Sequence, residues 1–177
     1  MSARCAIDVL LIVCSSGCGY ALAGRGSFLP DYIRTIGIPP IENATPFLRV
    51  EQVLTQKIRT EFIGRPKYTI VPTPAGAQAV LTGTITGFTV QPVGFTAQQL
   101  ASRYLITLTL RVEFTDATTN EVLWSNSALT FREEYDLSTR SNTALEGAGF
   151  LDQEGPAFDR ISSDVARTVV SAILEAF

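Results

Sequence analysis

The strongest constraint on the fold is the alternation of apolar and polar side chains between Arg103 and Asp116. Successive side chains of a β-strand point to opposite faces, so a period of two collects the apolar residues on one face. This segment is therefore predicted to be a long strand with one buried and one polar face, typical of a largely antiparallel sheet. The predicted buried face consists of Ile106, Leu108, Leu110, Val112 and Phe114.

Three further segments have the composition of strands. Thr35–Ile38 is short and is predicted to end at Pro39 and Pro40, because proline lacks the N–H that a ladder needs. Val122–Tyr135 is predicted to return beside the long strand after the turn at 116–120, and Tyr68–Val71 is a short extended piece. Ala79–Val90 alternates, with Leu81, Gly83, Ile85 and Gly87 expected toward the helices and Val80, Thr82, Thr84, Thr86 and Phe88 on the polar face. Either glycine of this segment could instead mark a β-bulge.

Two amphipathic helices are expected to cover the apolar face of the sheet. Thr45 can cap the first helix with Pro46 in its first turn, and this helix is predicted to run to about Phe62 and to end at Gly64. The second is predicted to start near Pro156, after a turn-rich stretch at 136–155. Their apolar stripes are Val50, Val53, Leu54, Ile58 and Phe62, and Phe158, Ile161, Val165, Val169, Ile173 and Phe177. The predicted class is α+β, a two-layer sandwich of a mostly antiparallel four-stranded sheet with both helices on one face.

The amino-terminal segment has the features of a bacterial lipoprotein signal. A short apolar run, Val9–Val13, precedes small residues that end at Gly17 and are followed by Cys18. We expect residues 1–17 to be removed, Cys18 to carry acyl chains that hold the protein at a membrane, residues 18–30 to form a tether and residues 31–177 to form one domain. The alternative is that Cys5, Cys14 and Cys18 are ordinary thiols on a short buried helix.

Composition argues against several classes of function. The chain has no histidine, which excludes Ser-His-Asp and Cys-His nucleophilic sites and imidazole-based zinc sites. Glu133 and Glu134 are adjacent on a predicted strand and therefore point to opposite faces instead of converging. The only lysines are Lys57 and Lys67 and the net charge is −3, which does not suit nucleic-acid binding. We predict no enzyme, no metal and no cofactor apart from the covalent lipid on Cys18.

The polar face of the predicted sheet is rich in threonine. Thr82, Thr84, Thr86, Thr107, Thr109 and Thr115 lie on it, with Phe88 and Leu105 expected to be exposed among them. This face could contact a broad partner such as a protein wall or lipid. The alternative is that threonine is simply a good strand former on a wet face. Candidate anion contacts are Arg103, Arg111, Arg132 and Arg140, although solvated arginine is the commoner case.

Several short motifs, taken in order along the chain, resemble the LptE family of lipopolysaccharide-assembly lipoproteins. They are Cys18-Gly19-Tyr20, Thr35-Ile36-Gly37-Ile38-Pro39 with Glu42-Asn43, Leu81-Thr82-Gly83-Thr84-Ile85, and Glu121-Val122-Leu123-Trp124 before Glu133-Glu134-Tyr135. The resemblance implies a lipid-anchored protein on the periplasmic side of the outer membrane. Such a protein would plug the LptD β-barrel, help to assemble it and support lipopolysaccharide transport to the outer leaflet. It also implies lipopolysaccharide contacts near the sheet's rim, where Arg103 and Arg140 are the basic residues available.

Other classes of protein share parts of this pattern. The first half of the chain also resembles the TolB amino-terminal domain and the curli-secretion lipoprotein, which are periplasmic accessory proteins. The uninterrupted meander after Thr82 favours the LptE family over these two. A soluble binding module is a further alternative. An enzyme is disfavoured by the missing histidine and by the lack of a glycine-rich phosphate loop after a strand.

Overall fold

The computed structural model describes residues 29–97, 101–136 and 150–175. These residues form six strands and two helices around one core, which confirms the α+β class. In chain order the elements are β1 (Thr35–Gly37), β2 (Glu42–Asn43), α1 (Val50–Ile63), β3 (Thr69–Val71), β4 (Ala79–Phe95), β5 (Ala101–Asp116), β6 (Val122–Asp136) and α2 (Phe150–Glu175). The predicted signal segment, most of the predicted tether, Cys18, most of the turn-rich stretch and Phe177 lie outside the described residues.

The sheet is mixed. Its strand order is β3-β1-β4-β5-β6, and β2 also pairs with β4. The β4–β5 and β5–β6 pairs are antiparallel, as predicted, but β1 runs parallel to β3 and β4, and β2 runs parallel to β4. The prediction of a mostly antiparallel four-stranded sheet is therefore wrong. The physical reason is that α1 carries the chain back along the sheet, so that β3 enters beside β1 in the same direction.

Two prolines divide what would otherwise be one strand beside β4. Ile36 of β1 lies opposite Ala79, and Glu42 of β2 lies opposite Thr84, so both segments follow the same edge of β4. Pro39 and Pro40 lie between them and have no N–H to donate. The predicted end of the first strand at these prolines is confirmed, whereas its continuation as β2 was not foreseen.

A β-bulge in β4 changes which side chains are buried. Ile85 pairs with Leu110 and Gly87 pairs with Thr109, which leaves Thr86 as the extra residue. From this bulge to the next register shift, after Pro92, each side chain is moved to the other face relative to strict alternation. Phe88 is consequently only 5% exposed, although the alternation predicted it on the polar face. Gly87, predicted toward the helices, lies beside Thr109 on the polar face. The alternative prediction, that one of the two glycines of this strand marks a β-bulge, is confirmed for Gly87.

Both helices begin at residues other than those predicted. The side chain of Asn43 holds the segment before α1 in a turn: Oδ1 accepts the Thr45 N–H at 2.9 Å, and Nδ2 donates to the Phe47 carbonyl at 2.6 Å. Thr45 is therefore part of this turn instead of the helix cap, and α1 starts at Val50. The predicted end at Gly64 is confirmed.

The second helix extends further toward the amino terminus than its sequence suggested. Pro156 lies inside α2, six residues after the start of the helix at Phe150. Proline commonly occupies a first turn because its N–H is not needed there. Its fixed φ is also helical, so the helix can continue before it, but one backbone hydrogen bond is lost and the proline ring crowds the carbonyl four residues earlier.

The core lies between the helices and the apolar face of β4 and β5. The predicted buried residues of β5 and the described residues of both helix stripes are buried, except for Val53, which is half-buried. Phe88 joins these layers, because its ring centre lies 4.8 Å from that of Phe47 and 5.6 Å from that of Phe158 in α2. Lys57 of α1 and Asp159 of α2 form an ion pair at 2.7 Å between the two helices.

Candidate functional site

The polar face of the sheet, opposite the helices, carries in-register rows of threonine. We call it the threonine face, and its members are Thr82, Thr84 and Thr89 of β4, Thr107, Thr109 and Thr115 of β5, and Thr130 of β6. Thr89 pairs with Thr107, and the hydroxyls of Thr109 and Thr130 lie 3.3 Å apart across the β5–β6 pair. No described element packs over this face, whereas both helices cover the other one.

The threonine face agrees with the sequence in part. Thr82, Thr84, Thr107, Thr109 and Thr115 are placed as predicted. Thr86 is the bulged residue, and its hydroxyl donates to the Thr109 carbonyl at 3.3 Å. Thr89 and Thr130 were not predicted on this face. Thr89 reaches it only because of the bulge, and the sequence of β6 does not show which of its residues lie on which face. Leu105, expected to be exposed, is half-buried.

Two arginines of the threonine face have no ion-pair partner within the described residues. Arg111 lies opposite Thr84, and Arg132 lies opposite Thr107. Both are exposed, and neither hydrogen-bonds to a described side chain. With respect to the described side chains, the donors of each guanidinium are therefore available, in a fork that fits a carboxylate or phosphate.

A cleft lies at the end of the threonine face that is closest to β2. Its volume is about 310 Å³. It is lined by Pro39, Pro40, Glu42, Thr82, Gly83, Thr84, Arg111 and Glu113. The Thr84 hydroxyl donates to Glu42 at 3.2 Å. The sequence could not place Glu42 here because the parallel pairing of β2 with β4 was not predicted, although the adjacent Pro39-Pro40 break was a usable signal.

Arg103 lies at the rim, near the start of β5, and is engaged by carboxylates of β6. Its Nε is 3.0 Å from Asp136, and its Nη1 is 3.9 Å from Glu134. The hydrogen bond to Asp136 is the main cause that raises the pKa of Arg103. Arg140, the other rim residue suggested by the family resemblance, lies outside the described residues. An anion at Arg103 would have to compete with two carboxylates.

A buried carboxylate joins the start of the domain to the β5–β6 turn. Asp116 is 1% exposed and accepts a hydrogen bond from the Tyr32 hydroxyl and, at 2.7 Å, from the Thr118 N–H. The bond from Tyr32 is the main cause that lowers the pKa of Asp116, and the same bond raises the pKa of Tyr32. This contact holds the entry of the amino-terminal segment against the sheet and was not foreseen from sequence.

A comparison with known families decides between the classes considered above. The model of the LptE family, described as lipopolysaccharide-assembly, matches residues 33–173. The chain belongs to the LptE family. This match extends from the residues just before β1 almost to the end of α2. It confirms the family resemblance and favours it over the TolB and curli-secretion alternatives.

Solved structures support the fold of this LptE-family chain. A DUF330 protein from Xanthomonas campestris has a TM-score of 0.52 at 14% identity, with 84% of this chain and 88% of that chain covered. The minor lipoprotein from Acinetobacter baumannii has a TM-score of 0.51 at 12% identity, with 83% and 95% covered. The hypothetical protein CT253 from Chlamydia trachomatis has a TM-score of 0.50 at 13% identity, with 79% and 97% covered. At these identities the likeness shows the fold alone. No curated protein matches the sequence significantly.

The described part of the chain contains no helix that is both long and apolar enough to span a bilayer.

Proposed function

We propose that this LptE-family chain is a lipoprotein anchored through Cys18 on the periplasmic side of the outer membrane. There it plugs the lumen of an LptD-like β-barrel, helps that barrel to assemble and supports lipopolysaccharide transport to the outer leaflet. The observation that carries the proposal is the family match over residues 33–173, which includes every strand of the described fold, the whole of α1 and almost all of α2.

The geometry of the sheet supports the plug role. A barrel of more than about twenty strands encloses a lumen too wide for its own side chains to fill, and its inner surface is polar. A rigid two-layer domain with a hydroxyl-rich face can lie against such a wall without burying many unpaired charges. The threonine face has this character, because most of its side chains are short and uncharged.

The anchor limits where the domain can be. Residues 19–28 separate Cys18 from Leu29, the first described residue. A fully extended chain of that length spans at most about 35 Å. Lipid chains on Cys18 would therefore keep the domain close to the membrane in which the barrel is embedded.

Two measurements on the full-length chain test the proposal. Mass spectrometry of the mature protein should find acyl chains on Cys18, absent from Cys18→Ser and retained in the control Cys14→Ser. An intact Met1 on the mature chain would contradict the anchor. Affinity purification from detergent-solubilised outer membranes should recover the barrel together with this chain. Elution of the chain alone would contradict the plug role.

Depletion of the protein tests its part in assembly and transport. The amount of folded barrel and of lipopolysaccharide at the cell surface should fall together, and wild-type chain supplied from a plasmid should restore both. Normal barrel and surface lipopolysaccharide after depletion would contradict this part of the proposal.

A further inference from the structure

We propose that the threonine face, together with Arg111 and Arg132, is the surface that docks against the polar inner wall of the barrel, and that both guanidiniums bind carboxylates of that wall. This inference rests on the proposed function and adds which side of the domain meets the partner. The helical side would then face the space that the barrel leaves open.

The distribution of charge distinguishes the two sides of the domain. On the helical side, three ion pairs lie within the chain: Lys57 with Asp159 at 2.7 Å, Arg160 with Glu133 at 2.7 Å, and Arg167 with Asp164 at 3.4 Å. On the threonine face, Arg111 and Arg132 have no such partner among the described residues. A partner surface that supplies carboxylates would complement these two positions.

The threonine face also loses little conformational freedom on binding. Threonine is short and β-branched, so few rotamers are available to it even when it is exposed. Ordering long charged side chains, such as those on the outer surface of the helices, costs more entropy at an interface. The contact between the Thr109 and Thr130 hydroxyls further orders the centre of this face before any partner binds.

The cleft at the end of the threonine face can hold a side chain that projects from the wall. Its lining combines the Arg111 donors with the carboxylates of Glu42 and Glu113. A polar side chain that enters it can therefore find both donors and acceptors, which lowers the cost of removing that side chain from water.

Photo-crosslinking in the intact membrane tests this orientation. A photoreactive amino acid replaces Thr89 or Thr130 of the threonine face, and matched controls replace Thr60 of α1 or Thr168 of α2; all four threonines are exposed. After irradiation, tagged full-length protein is purified and probed separately for the barrel and for lipopolysaccharide. We expect adducts with the barrel from Thr89 and Thr130, and at most weak ones from Thr60 and Thr168.

The outcomes separate this inference from the proposed function. Barrel adducts from the helical positions alone would overturn the docking face while leaving the plug role intact. Adducts of Thr89 and Thr130 with lipopolysaccharide instead of protein would also overturn it. If none of the four positions gives a barrel adduct and the barrel does not co-purify, both proposals fail.

Charge reversal tests the part played by the arginines. Arg132→Glu, and independently Arg111→Glu, should reduce the barrel recovered with the chain by about tenfold or more, because each places like charges against each other at the interface. The control Arg167→Glu makes the same change of charge on the helical side and should leave the amount of recovered barrel unchanged. Equal recovery with all three variants would refute the proposed carboxylate contacts. Unchanged thermal unfolding of each variant shows that folding is not the cause.

Discussion

Replacement of Phe88 by alanine tests the bulge in β4, which decides the face on which this ring lies. In the structure Phe88 is 5% exposed and contacts the rings of Phe47 and Phe158. Burying about 200 Å² of ring at about 25 cal/mol per Å² contributes about 5 kcal/mol, of which the alanine methyl group keeps about 1. The expected loss in the free energy of unfolding is therefore about 4 kcal/mol, within the range of buried Phe→Ala substitutions.

Phe95 supplies a matched control, because it lies on the same strand and is 62% exposed. Phe95→Ala should cost about 1 kcal/mol or less. Urea unfolding of the purified full-length chain measures both losses, with the fluorescence of Trp124, the only tryptophan, as the signal. In a thermal scan, each kcal/mol corresponds to a shift of about 2–4 °C for a domain of this size. Equal losses for Phe88→Ala and Phe95→Ala would refute the register after the bulge.

Three further substitutions probe single contacts. Gly37→Ala would place its Cβ 2.7 Å from the Thr73 carbonyl oxygen, so we expect overpacking to cost about 1–3 kcal/mol in urea unfolding. Asn43→Ala removes the bonds that order the turn before α1 and should cost about 1–2 kcal/mol, with unchanged stability arguing against this role. The pKa of Asp116 is lowered in the folded protein, so the stability it contributes is present above its unfolded-state pKa and is lost as the pH falls through the folded value. Tyr32→Phe removes the main cause of that shift and should weaken the decline of the thermal midpoint between neutral pH and about pH 3; identical pH profiles for variant and wild type would contradict it.

The sequence predicted only part of the candidate site. The threonine-rich face followed from alternation in β4 and β5, and Arg111 was placed on it correctly. The cleft could not be predicted from the sequence, because Glu42 approaches Arg111 only through the parallel pairing of β2 with β4. The engagement of Arg103 by Asp136 depends on the β5–β6 register, which alternation alone does not specify.

Local periodicity was sufficient for the features that depend on neighbours along the chain. The long strand at β5, the buried stripes of both helices, the end of α1 at Gly64 and the break at Pro39 all follow from side-chain spacing or backbone restrictions that act within a few residues. The family resemblance likewise rested on short motifs, and the family match confirms it.

Tertiary structure alone decided the features that depend on contacts between distant segments. The direction of β1, β2 and β3 depends on where α1 returns the chain, and the register of β4 depends on the bulge at Thr86 opposite Thr109. One extra residue there moves Phe88 into the core and Thr89 to the threonine face. Packing of Phe88 against Phe47 and Phe158 stabilises this arrangement, and no short window of sequence contains all three.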